Sequence, residues 1–337
     1  MSRAPSVEEL VEGVRAGDRV QLARAITLVE STREVDRVRA LEVLSRLAKD
    51  DRKPARRIGI SGAPGVGKST FVEALGMHLV QELGHSIAVL AVDPSSPISG
   101  GSILGDKARM NALAQHERAY VRPSPSATTL GGVARRTREA LDLVEAAGCQ
   151  VILIETVGVG QSEVAVASMV DFFLLLVQPG AGDELQGIKK GIVELADGFA
   201  VTKADGELEA AAGRAAAQLG AALSLLSPQD GKPAPFVRTT AALAGLGIPE
   251  LWSELSARLL ADEKSGALAT RREGQLEEWL FERIDEELRA AFRAHPGVSN
   301  ALSGWVAKVR AGSVPPGVAA RELLGEFRAN PASGQGE

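Results

Sequence analysis

A chain of 337 residues, 45% of them apolar, has the material for one sizeable α/β domain with appended helices and is too apolar to remain disordered. A formal charge of −5 with no basic run argues against a nucleic-acid partner, and one cysteine with four scattered histidines excludes an intrachain disulfide and leaves no soft-metal cluster. No apolar run approaches the ~18 residues of a membrane span, residues 1–30 carry charge throughout with no signal-peptide core, and a reducing cytoplasm is the expected location.

The first 50 residues read as helices. Ser6 with Glu9 makes a capping-box pattern ahead of Leu10, Val11 and Val14. A second helix is predicted over about 20–30 and a third over about 35–47, where Val38, Leu41, Val43, Leu44 and Leu47 give an apolar face. The polar stretch Asp50-Asp51-Arg52-Lys53-Pro54 then reads as a solvated joint. These signals divide the chain into a helical extension over 1–54, an α/β domain over 55–264, a helical arm over 265–329 and a tail over 330–337.

From Arg56 strands alternate with helices, the signature of a mostly parallel sheet flanked by helices on both faces. Strands are predicted at 57–60, 87–92, 120–122, 151–154, 171–177, 198–201 and 236–238, with helices at 69–83, 107–116, 133–147, 188–195 and 208–226. Near-continuous Ile, Val and Leu fits strands buried on both faces. Beyond Ile248 a short helix is predicted at 249–260, a long one at 271–292, and two more near 298–309 and 318–327. Trp279 and Trp305 are large apolar anchors there, for internal packing or for a dimer contact.

The strongest motif is Gly62-Ala63-Pro64-Gly65-Val66-Gly67-Lys68-Ser69, followed by Thr70. It is G-x-x-x-x-G-K-S/T between a strand and a helix, the setting a phosphate-binding loop needs. Glycines let backbone N–H groups turn inward around a polyphosphate, and the helix N-terminus adds its own unpaired N–H groups. Lys68 is expected at the β- and γ-phosphates and the Ser69 hydroxyl on Mg²⁺.

Other candidates fall at strand ends, where such sheets bind ligands. Asp93 is placed to hold Mg²⁺ or its waters, and the Pro/Ser/Gly-rich stretch behind it suits a switch loop. Asp106 is either an N-cap or a metal contact. Glu155 and Gly158 stand where nucleotide-hydrolysing relatives carry Asp-x-x-Gly: the acid works through a metal-bound water and the glycine amide meets the γ-phosphate. The residue after Gly158 is Val159, which cannot orient a water, so slow intrinsic hydrolysis is expected unless Gln161, Glu155 or a partner helps. Thr202-Lys203-Ala204-Asp205 matches Asn-Lys-x-Asp except at Thr202. Asp205 would accept the two guanine N–H groups, which adenine lacks. Thr202 gives up a carboxamide hydrogen bond, and Thr239-Thr240-Ala241 is placed to offer N–H groups to the base. The stretch 178–190, with Asp183, Glu184, Gln186, Lys189 and Lys190, reads either as a solvated loop and helix start or as a third switch.

The segments 62–70, 92–107, 122–126 and 155–163 together resemble the MeaB family of GTPases, with its ArgK and MMAA-type relatives. The similarity spans nearly the whole chain. It implies a P-loop GTPase dimerising through a helical C-terminal arm. It implies as partner an adenosylcobalamin-dependent methylmalonyl-CoA mutase or a related acyl-CoA mutase, together with its adenosyltransferase. GTP binding and hydrolysis would gate cofactor loading and the removal of damaged cofactor. Switch residues carried over are Asp93, Asp106, Glu155 and Lys189, and cobalamin is expected on the partners rather than on this chain. The same fold also serves metal-delivery GTPases of the nickel-insertion type, which would want a Cys/His ligand cluster. An ATP-dependent small-molecule kinase and a Met-rich targeting GTPase are further alternatives.

Overall fold

The computed structural model describes residues 4–92, 110–122, 130–156, 162–180, 190–225 and 233–329. They fall into two compact units, 1–269 and 270–337.

In the first unit three helices come first: α1 (Val7–Arg15), α2 (Arg19–Glu30) and α3 (Glu34–Leu47). The predicted capping box is present: Glu9 N–H donates to Ser6 Oγ at 3.1 Å and Ser6 N–H to Glu9 Oε2 at 2.6 Å. One expectation fails on α3. Val43 and Leu47 are buried, but Val38 and Leu41 are 60% and 55% exposed. The helix lays a narrower stripe on its neighbours than the residue types suggest.

Seven parallel strands follow: β1 (Arg56–Gly62), β2 (Ile87–Val92), β3 (Ala119–Arg122), β4 (Val151–Thr156), β5 (Phe172–Val177), β6 (Gly198–Val201) and β7 (Phe236–Thr239). Their order is β3-β2-β4-β1-β5-β6-β7. The sheet separates two cores because successive side chains point to opposite faces. Phe173, Leu175 and Val177 of β5 join α1–α3 and Leu141 and Val144 on one face. Phe172, Leu174 and Leu176 join the other, with Phe71, Leu75 and Trp252.

The connecting helices are α4 (Lys68–Met77), α5 (Asn111–Gln115), α6 (Leu130–Ala146), α7 (Ser162–Ala167), α8 (Lys190–Leu195), α9 (Glu209–Ser224) and α10 (Ile248–Ser265). The helix predicted from 69 does run to 82, but its last turn, His78–Glu82, is a π-turn. The helix α7 was not predicted, because six residues give no measurable period. The helix after Ile248 is 18 residues long rather than short, ending where Gly266 adopts φ 82°. The helix α11 (Ala267–Ala294), which belongs to the second unit from Thr270 on, leads into the pair α12 (Pro296–Arg310) and α13 (Pro316–Ala329). Phe292 meets Phe327 edge-on at 5.5 Å, and His295 stands 5.3 Å from the same ring.

Among the described residues no helix is long and apolar enough to cross a membrane.

Candidate nucleotide site

All seven strands are parallel, so their C-terminal ends share one edge, and β1 sits between β4 and β5 where the chain switches from one side of the sheet to the other. Ligands of such sheets bind outside this switch point. The turn after β1 carries Gly62 to Ser69. Gly62 has φ 154° and a Cβ there would stand 2.6 Å from the Leu176 carbonyl oxygen, so only glycine fits. Gly67, at φ 99°, precedes the first turn of α4, whose N–H groups have no partners inside the helix.

Lys68 donates from Nζ to the carbonyls of Gly62 at 2.7 Å and Ala63 at 3.2 Å, folding back over its own loop. Burial pushes its ammonium below the ordinary lysine range, while the carboxylates of Glu155 and Glu163 act in the opposite direction. Glu163, in the first turn of α7, is buried. It belongs to the electrostatics of this loop although sequence reasoning gave it no role. The clue was its place within the 155–163 stretch.

Glu155 lies at the end of β4, between Ile60 of β1 and Ala91 of β2, and is 3% exposed. Ser69 Oγ donates to Glu155 Oε1 at 2.8 Å. The structure thus brings together a hydroxyl and a carboxylate from positions 86 residues apart. Both are hard oxygen donors of the kind Mg²⁺ prefers, so the pair fits that ion. Behind it Thr156 Oγ1 donates to Ser61 Oγ at 2.8 Å, locking the two strand ends together.

The turn after β6 is tied to the phosphate loop twice. Thr202 Oγ1 donates to the Val66 carbonyl at 2.8 Å, and Lys203 Nζ donates to the Gly65 carbonyl at 2.9 Å. The threonine hydroxyl at this position therefore makes a hydrogen bond of its own to the phosphate loop. Gln178 lies 3.4 Å from Lys203 Nζ. Lys203 has φ 55°, a conformation a lysine adopts only where surrounding contacts impose it. Asp205 is exposed beyond it. Ala204 N–H donates to the Thr240 carbonyl at 3.0 Å, drawing the turns after β6 and β7 together.

One expectation about the turn after β7 is corrected. Thr240 N–H donates to Val201 and Ala241 N–H to Leu246, at 2.8 and 2.9 Å, so both are engaged within the fold. The polar atom left over is the Thr240 hydroxyl, which is buried without a hydrogen-bond partner. Thr239 closes β7. Asp93, Asp106, Gly158, Gln186 and Lys189 lie outside the described residues, as do Val159 and Gln161.

The comparisons agree with one another. A model of the family "Methylmalonyl Co-A mutase-associated GTPase MeaB" matches residues 22–297. A probable GTPase of Mycobacterium tuberculosis is 51% identical over 319 residues, covering 95% of this chain and 94% of that protein. The mitochondrial methylmalonic aciduria type A homolog of Mus musculus is 46% identical over 334 residues, covering 96% of this chain and 80% of that one. Among solved structures, that of a LAO/AO transport system kinase matches with a TM-score of 0.74 at 34% identity, covering 97% of this chain and 99% of that chain.

Proposed function

This chain belongs to the MeaB family of GTPases, and we propose that its GTP cycle regulates an adenosylcobalamin-dependent acyl-CoA mutase in the cytoplasm. The observation that carries the reading is the site itself. A phosphate loop, a hydroxyl–carboxylate pair and the turn after β6 converge on one sheet edge, cross-linked by Ser69–Glu155 and Thr202–Val66.

On this reading Lys68 leaves the Gly62 and Ala63 carbonyls for phosphate oxygens, which also neutralise its buried charge. The N–H groups of residues 62–70 hold the phosphates, with Gly158 at the γ-phosphate. Ser69 and Glu155 hold Mg²⁺ directly or through its waters, with Asp93 and Asp106; the bound ion would offset charge on the phosphates. Lys203 and Asp205 read the guanine beside Thr202. Gln186 and Lys189, with Asp93 and Asp106, report the nucleotide state to the partner.

Val159 lacks the hydrogen-bonding group that would orient an attacking water, which supports slow turnover until the mutase completes the site. Loading intact cofactor and releasing damaged cofactor are the steps this cycle would gate, with cobalamin on the mutase or its adenosyltransferase. The matched family is described as mutase-associated, which favours this cargo over nickel insertion.

The test is sedimentation of the purified chain with a methylmalonyl-CoA mutase, once with GDP and once with a non-hydrolysable GTP analogue. A complex whose affinity differs about tenfold or more between nucleotides supports the proposal. No complex in either state removes the mutase from it.

A further inference from the structure

A groove of about 920 Å³ opens between α2, α3, α5 and the edge strand β3. The strand order places β3 three strands from β1, roughly 14 Å away at ordinary strand spacing, so the groove is distinct from the nucleotide site. Four arginines line it, Arg19, Arg24, Arg39 and Arg122, against one lining carboxylate, Asp36.

Arg122 is neutralised by Glu30. The other three have no carboxylate partner among the described residues. Arg19 donates to the His116 carbonyl and Arg39 to the Pro5 carbonyl, which leaves their charges unbalanced, and Arg24 is exposed with no partner among the described residues. Asp36 is already held by the Ser31 hydroxyl and by Arg33. Three unbalanced guanidinium groups in one concavity stand out on a chain whose net charge is −5. A cleft lined mostly by one sign of charge concentrates the opposite ion, and the planar fork of arginine matches phosphate oxygens. The remaining wall is largely apolar and includes Tyr120, the chain's one tyrosine. The volume falls in the range of small-molecule sites.

We infer that this groove is a second anion site, taking a phosphoanhydride-bearing small molecule on Arg19, Arg24 and Arg39. It does not depend on the GTPase reading.

The experiment is calorimetric titration of the full-length chain, saturated with GDP and Mg²⁺, using inorganic pyrophosphate in one arm and ADP in the other. Binding at or below about 1 mM is expected, weakened about tenfold or more in Arg19→Ala/Arg24→Ala while GDP affinity and thermal midpoint stay unchanged. Tighter binding of ADP than of pyrophosphate assigns an organic group to the Tyr120 wall, and equal binding assigns a free inorganic anion. Arg24→Lys keeps the charge but not the fork and is expected to fall between wild type and the double variant. Absence of binding in both arms, or equal binding by wild type and the double variant, overturns the site. If the chain failed to bind GDP, the arginine variants would still decide the matter.

Discussion

Thr202 holds two turns together through one hydroxyl. Its bond to the Val66 carbonyl ties the turn after β6 to the phosphate loop. In Thr202→Val a buried acceptor loses its donor, at a cost of about 1–3 kcal/mol, and GDP affinity is expected to fall while Thr202→Ser stays near wild type. Equal GDP affinity in all three, measured by calorimetry, would show that the link is incidental. For Asp205→Asn, losing a charged acceptor is expected to reduce GTP affinity about 10–100-fold while xanthosine triphosphate gains. Unchanged GTP affinity would remove Asp205 from the base pocket. Lys68 supplies a pH signature. Burial lowers its pKa from the ordinary 10.5 in the nucleotide-free chain, and phosphate contacts would raise it again. Nucleotide binding should therefore take up a proton at pH values between the two, and affinity should fall as pH rises through that window. Calorimetry in two alkaline buffers of different ionisation enthalpy measures the uptake; identical heats would contradict it.

At the scale of elements, the sequence made the sheet legible because strands buried on both faces read as continuous apolar runs, and β2, β4 and β5 are buried along their whole length. The phosphate loop was legible for a local reason: its glycines, lysine and serine are consecutive. Thr202 was harder to read because its partner lies 136 residues away. Likewise Glu163 acts on Lys68 through space, and no spacing rule connects them. The end of α10 was missed because Asp262-Glu263-Lys264-Ser265 has no apolar period, although the helix continues to its glycine cap. On α3 residue type misled, since Leu41 faces out while Ile26 of α2 is fully buried. Ile26→Ala should then cost about 2–5 kcal/mol, and Leu41→Ala within about 0.5 kcal/mol of nothing. Urea melts of both variants check this, and equal losses would contradict the packing of α1–α3.

At the scale of the molecule, the second unit bears on assembly. Leu276, Leu280, Phe281, Ile284 and Leu288 of α11 are all exposed, an apolar stripe on a helix with no buried residue. That stripe supports the homodimer that the family resemblance implies, because exposed apolar patches of this kind mark association surfaces. Leu280→Glu/Ile284→Glu is expected to convert a dimer to a monomer in sedimentation while leaving GDP affinity unchanged; a wild-type monomer would contradict it. Ser69, Glu155 and Lys68 meet at the end of the sheet, and Val159 carries no hydrogen-bonding group, which is the basis for proposing a slow GTP cycle completed by the mutase. The most direct measurement is the GTP turnover rate of the purified chain, alone and with a methylmalonyl-CoA mutase. A slow basal rate that rises at least about tenfold, or ~1.4 kcal/mol of barrier, is the predicted result. A fast basal rate indifferent to the mutase would contradict it, because the site would then orient its own water.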